Sequence, residues 1–273
     1  MERRTFLAAL LALASTRVYA SPGNKPSYKL LTYPGTGKAD VSAADFIAGV
    51  KPLRDEMERL LGVRPSVTLI RTLNVFNAGA VAEGPDLVYG PATSAALYIE
   101  AGYVPLVRVA KLAKGMVVSK LPLQSVNTVS MPDPGSWLAQ VGEYSVEVSA
   151  GRNLKYTYAR TQDAAVDAVR YGLADAVTVR PAAFQKLQAE DPAYRVIVKL
   201  PETPDFTLLA HPQRVDEEAR EQLVNVLGKL SVDTLAALDR VYHVKVEHFT
   251  PVTASDYNVL RRIAAFNRRN NTA

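Results

Sequence analysis

The sequence predicts an α/β protein of two similar lobes, each a mixed, mostly parallel sheet flanked by helices. Two observations carry this. Short apolar runs alternate with amphipathic stretches of helical period along most of the chain, the pattern of strands and helices in turn. One strand-to-helix turn also occurs twice. Gly84-Pro85-Asp86-Leu87-Val88-Tyr89-Gly90-Pro91 parallels Gly172-Leu173-Ala174-Asp175-Ala176-Val177-Thr178-Val179-Arg180-Pro181. Each copy has a glycine at a helix end, an aspartate, a short apolar strand and a proline that opens the next helix. Such turns lie at the carboxyl ends of strands, where open α/β sheets bind ligands.

Taken in order, Tyr28–Tyr33 reads as a strand. Val41–Leu61 follows with helical period (Phe46, Val50, Leu53, Met57, Leu60) and Gly62 as its stop. Pro52 inside that period predicts a break, with a short helix leading into Pro52–Leu61. Val67–Arg71 is a strand, Val75–Ala82 a short helix and Asp86–Tyr89 a strand. Gly90-Pro91 turns the chain into a helix over Ala92–Ala101, and Val104–Ala110 and Met116–Ser119 are further strands. From Val126 the pattern restarts: strand Val126–Met131, tight turn Pro132–Gly135, helix Ser136–Ala150, strand Lys155–Tyr158 and a helix capped by Thr161 and running to Tyr171. Strand Ala176–Val179, a helix opened by Pro181, and strand Arg195–Leu200 complete this half. Phe206–Ala210 is a last strand before two or three helices reaching Phe266.

The first twenty residues have a different character. Arg3-Arg4 precedes an apolar run from Phe6 to Ala14, and Val18-Tyr19-Ala20 places small side chains where a signal peptidase needs them. Residues 1–20 are therefore expected to be a signal peptide, cleaved before Ser21. Ser15, Thr16 and Arg17 end the apolar run short of the roughly 20 residues a membrane helix requires. Arg3-Arg4-Thr5-Phe6-Leu7 resembles a twin-arginine export motif, and an ordinary signal with an incidental arginine pair fits equally well. The expected location is the periplasm.

Composition narrows the function. There is no cysteine, which excludes a disulfide framework, a thiolate nucleophile and a thiolate metal site. Removing Arg3, Arg4, Arg17 and Glu2 takes the formal charge from +5 to a mild +3, and no basic run points to nucleic acid. Arg261, Arg262, Arg268 and Arg269 read as the solvated face of a terminal helix. His211, His243 and His248 show no HExxH spacing, and the chain has no nucleophile elbow, P-loop or Gly-x-Gly-x-x-Gly. Asp163 and Asp167 share a helix face with Arg170, which reads as a charged surface. Neither a cofactor nor catalysis is expected.

Pro134-Gly135-Ser136 before a helix is a physically sensible place for an anion. The first N–H groups of a helix lack partners and its dipole favours an anion there. Ser136 adds a hydroxyl, and Gly135 permits close approach of a ligand to the backbone; the plainer alternative is that Ser136 only caps the helix.

Pro85-Asp86-Leu87-Val88-Tyr89-Gly90-Pro91-Ala92, Met131-Pro132-Asp133-Pro134-Gly135-Ser136, Ala164–Asp175, Leu200-Pro201-Glu202-Thr203-Pro204-Asp205-Phe206 and Ser255-Asp256-Tyr257 occur in an order and spacing that resembles the PhnD-like phosphonate-binding periplasmic proteins of ABC transporters. The resemblance implies a two-lobed type II periplasmic-binding fold. One lobe would hold residues 28–119 and 206–273, the other 127–200, with hinge segments at 120–126 and 201–205 closing the lobes on a ligand. It implies an anionic small-molecule ligand such as a phosphonate, phosphate or phosphite, an ABC permease in the inner membrane as partner, and a monomeric receptor. It further implies ligand contacts from Tyr89 and Gly90 in the first lobe, Gln162 in the second and Asp205 in the hinge. Arg180, at the repeated turn, could supply a charge for an anion.

Trp137 and Leu138 stand where phosphonate binders carry further hydroxyls, and the family's other first-lobe tyrosine has no counterpart at Leu73–Val75. Trp137 could stack on an organic or cationic group. A second reading is therefore an organic or amine-bearing solute in the same fold, and a third is a ligand-sensing partner of a membrane receptor or kinase.

Overall fold

The computed structural model describes residues 27–35, 41–79, 84–242 and 244–270. The expected signal peptide and residues 80–82 of the second expected helix lie outside them.

Lys29–Thr32 (β1), Ser66–Leu69 (β2), Leu87–Gly90 (β3) and Val104–Val109 (β4) come before the chain enters its second half. The helices between them are Ala43–Leu61 (α1), Leu73–Ala78 (α2) and Ala92–Glu100 (α3). The second half holds Met116–Ser119 (β5), Thr128–Met131 (β6), Trp137–Ala150 (α4), Lys155–Tyr158 (β7), Gln162–Arg170 (α5), Ala176–Val179 (β8), Pro181–Glu190 (α6) and Arg195–Lys199 (β9). The chain then returns through Thr207–Ala210 (β10), Glu217–Leu227 (α7), Val232–Val241 (α8), Phe249–Pro251 (β11) and Asn258–Asn270 (α9).

Two sheets result, in the orders β11-β4-β10-β3-β1-β2 and β7-β6-β8-β5-β9. The duplicated turn marks corresponding places in them. β3 runs parallel to β1 and antiparallel to β10, just as β8 runs parallel to β6 and antiparallel to β5. The two aspartates of the repeat do the same work. Asp86 accepts from the Lys29 N–H at the start of β1 (2.7 Å), and Asp175 accepts from the Asn127 and Thr128 N–H groups at the start of β6 (2.8 and 3.0 Å). Each satisfies a backbone donor that the strand's first residues would otherwise leave unpaired.

Side-chain alternation splits the core into layers. Leu87 and Tyr89 of β3 point to α1, α7 and α8, whereas Val88 points to α2 and α3. The layer containing Val88 continues through Leu73, Phe76, Trp137 and Leu138 to Val129 and Val117 of the second sheet, so one apolar cluster runs across both lobes. The far face of the second sheet packs on α5 and α6 through Val166, Val169 and Leu187.

Three expectations are corrected. The first crossing between lobes was expected at 120–126, but β5 pairs with β8 and β9 and so belongs to the second sheet. The crossings are residues 110–115 and 200–206, and they run side by side through an antiparallel Ala113–Thr203 bridge. Helix α9, expected within the first lobe, packs against both α3 and α4, with Asn267 Nδ2 donating to the Gln140 carbonyl of α4 at 3.0 Å. Pro52 does not break α1, which runs unbroken from Ala43 to Leu61. Phe46 and Val50 before the proline and Met57 after it are all buried in one cluster with α8, and that burial outweighs the lost backbone bond. β11 was missed because three residues ending in proline leave no period; as an edge strand it tolerates Pro251.

Candidate functional site

Two helix N-termini, one from each lobe, approach one another at the boundary between the lobes. On the first lobe, α3 begins at Pro91, which has no side chain with which to cap the helix, so the first N–H groups lack a side-chain acceptor. Thr93 and Ser94 occupy its first turn. Ser94 is 1% exposed and its Oγ has no hydrogen-bond partner among the described residues. On the second lobe, α4 begins at Ser136, whose Oγ accepts from the Ala139 N–H at 3.2 Å and still has its own proton to give. The two termini meet where Thr93 Oγ1 donates to the Gly135 carbonyl at 3.4 Å.

Gly135 and Gly90 owe their small size to packing. A Cβ on Gly135 would meet Leu73 at 3.3 Å, and one on Gly90 would lie 2.5 Å from the Phe76 ring. Leu73 and Phe76 of α2 thus pack against these two glycines, in the stretch where the resemblance places a family tyrosine that this chain lacks. The Gly135 N–H donates to Asp133 Oδ1 at 2.8 Å and is engaged within its own turn. The donors left at this end of α4 are the N–H groups of Trp137 and Leu138 and the Ser136 hydroxyl.

Tyr89 is not in the crevice. Alternation along β3 sends its side chain into the opposite layer, where it makes edge contacts with Tyr242 at 4.8 Å and Phe249 at 6.1 Å. Its hydroxyl has no partner among the described residues, and burial, with lesser contributions from Tyr242 and Asp205, pushes the phenol well above its ordinary pKa. The expectation that Tyr89 donates to a ligand in the crevice is overturned by the pleat.

The other expected residues come together around Trp137. Its indole Nε1 donates to Thr203 Oγ1 of the second crossing at 2.7 Å, and its ring lies 4.7 Å from the Arg180 guanidinium. Arg180 Nη1 in turn donates to Asp205 Oδ2 at 3.2 Å. Gln162 Oε1 accepts from the Arg180 backbone N–H at 2.9 Å, which fixes the turn between β8 and α6. Gln162, Arg180 and Asp205 were expected to reach a ligand separately, but the structure assembles them with Trp137 and Thr203 into one internally bonded group. Beside it a groove of about 460 Å³ is lined by Lys111, Leu112, Lys114, Arg180, Pro181 and Glu202.

Sequence reasoning missed Thr93, Ser94, Lys111, Lys114 and Thr203. The argument that picked Ser136, a hydroxyl in the first turn of a helix at the end of a strand, applies equally to Thr93 and Ser94 and would have found them.

Residues 39–257 match the family model described as ABC transporter, phosphonate, periplasmic substrate-binding protein. The chain belongs to this family. It is accordingly a substrate-binding protein of a transporter and not an enzyme. Among solved structures, it is similar to PhnD1 from Prochlorococcus marinus in complex with methylphosphonate (TM-score 0.65, 14% identity, covering 90% of this chain and 99% of that one). It is also similar to a binding-protein component of an ABC phosphonate transporter from Pseudomonas aeruginosa (TM-score 0.64, 14% identity, 91% and 88% covered). A third is the periplasmic aliphatic sulphonate binding protein SsuA from Escherichia coli (TM-score 0.60, 15% identity, 90% and 88% covered). These likenesses establish the two-lobed periplasmic-binding fold. No match is found among curated proteins. No helix among the described residues is long and apolar enough to cross a membrane.

Proposed function

We propose that this protein is the exported receptor of an ABC importer and holds a small oxyanion between its lobes, at the facing N-termini of α3 and α4. The observation that carries this is the Ser94 hydroxyl, buried in the first turn of the uncapped α3 without a hydrogen-bond partner among the described residues, next to Thr93, which bonds the Gly135 carbonyl just ahead of α4. A buried hydroxyl without a partner costs about 1–3 kcal/mol, and an anion would satisfy it together with the helix-terminal N–H groups. Contact with both lobes lets the ligand favour their closure. The methylphosphonate of PhnD1 and the sulphonate specificity named for SsuA belong to the same chemical class. The group around Asp205 gives no support to an amine-bearing solute, because Arg180 already occupies that carboxylate.

The test is calorimetry of the mature protein with methylphosphonate, phosphite, phosphate, sulfate and methanesulfonate. At least one should bind at micromolar concentration. Ser94→Ala should weaken that binding about tenfold or more while leaving the melting temperature unchanged or higher, since it removes an unsatisfied group. Absence of binding across all five oxyanions refutes the reading. Impaired cellular uptake of the bound solute after deletion of the gene checks the importer role.

A further inference from the structure

We propose that the solute carries a second acidic group, a carboxylate, which lies in the groove formed by Arg180, Lys111 and Lys114. This rests on the oxyanion reading above and adds the chemistry of the rest of the ligand. Asp205 has only 8% of its side chain exposed and is held by Arg180 at 3.2 Å, so its charge is answered inside the protein. Arg180 uses Nη1 for that contact, and the remaining donors of its planar fork belong to a side chain 35% exposed that lines the groove. Trp137 and Asp205 fix the guanidinium in place, which suits it to two-point recognition of a carboxylate.

The lysines add to this. Lys111 pairs with Glu247 at 2.8 Å and Lys114 with Glu202 at 2.9 Å, but all four side chains are at least 39% exposed. Exposed pairs of this kind hold weakly and exchange partners readily. Three cations and Glu202 line the groove, and Asp205 and Glu247 pair with two of those cations, so an entering carboxylate competes with Glu202 and Glu247 for the exposed lysines and uses the Arg180 donors that Asp205 leaves over. Arg180 ties the groove to that end of α4: Trp137 directly follows Ser136, and its ring lies 4.7 Å from the Arg180 guanidinium that lines the groove.

The experiment is calorimetry with phosphonoacetate, 3-phosphonopropionate and 4-phosphonobutyrate, each against the alkylphosphonate of matching length, with 2-aminoethylphosphonate as the cationic control. For at least one length the carboxylate should bind ten times or more tighter than its alkyl partner, and the amine should bind no tighter than ethylphosphonate. In the double variant Lys111→Gln/Lys114→Gln, both exposed positions, the ratio of the two affinities should fall at least fivefold. If alkylphosphonates bind and no carboxylate gains, if the gain persists in the double variant, or if the amine binds best, the second acid is refuted while the oxyanion reading stands. If no phosphonate of any kind binds, the oxyanion reading fails and this inference with it.

Discussion

The pair formed by Arg180 and Asp205 should respond unequally to loss of either member. Its geometry is one-sided: the Asp205 side chain is 8% exposed and that of Arg180 35%. Arg180→Gln strands a carboxylate away from water. Removing one partner of a fully buried pair costs about 3–5 kcal/mol; partial exposure on the arginine side lowers this, and loss of the contact with Trp137 adds about 0.5–1 kcal/mol. The expected cost is about 2–4 kcal/mol, or a fall in melting temperature of roughly 5–15 °C for a chain of this size. Asp205→Asn instead frees an arginine that can turn to solvent, and it should cost only about 1 kcal/mol. Urea unfolding of both variants at pH 7.5 checks the asymmetry. Equal costs for the two variants would refute the reasoning.

Three further outcomes follow from other parts of the molecule. Glu143 is 9% exposed, and burial, then Glu147, raises its pKa against the opposing hydrogen bond from Tyr158 at 3.2 Å. Its charged form therefore burdens the fold above that raised value and ceases to as pH falls through it, so Glu143→Gln should raise the urea midpoint at pH 7.5 and leave it nearly unchanged below pH 4.5. Gly49→Ala would place a Cβ 2.3 Å from Val241 Cγ1 between α1 and α8, and should cost about 1–3 kcal/mol by thermal unfolding, largely relieved by Val241→Ala. Protein recovered from the periplasm should begin at Ser21 by N-terminal sequencing, and replacing Arg3-Arg4 with two lysines should block export only if the twin-arginine route is used.

The local chemistry was readable in the chain because it is short-range. Ser136, Thr161 and Pro181 each open a helix where their residue type said they would, and Gly62 closes one with a positive φ. The repeated glycine–aspartate–strand–proline turn needs only about ten residues to be recognised, and both copies occupy corresponding places in their sheets. The binding residues were less legible because burial and direction depend on the partner layer. Tyr89 matched a motif, but the pleat that sends it away from the crevice is set by which neighbour supplies the core. Ser94 carried a readable signal that was not followed, whereas Lys111 and Lys114 carried none, since a surface lysine acquires meaning only from what folds beside it.

The sequence by itself determined two α/β units and the strand-to-helix turns from which the proposed anion site is built, because capping, turn and periodicity effects act over one or two turns of chain. Only the tertiary structure decided that β5 crosses into the second sheet, that α9 spans both lobes, and that Arg180, Asp205 and Trp137 are one group. Those outcomes depend on contacts between residues 25 or more positions apart, whose pairing is selected by the burial of the assembled core and leaves no mark on the local pattern.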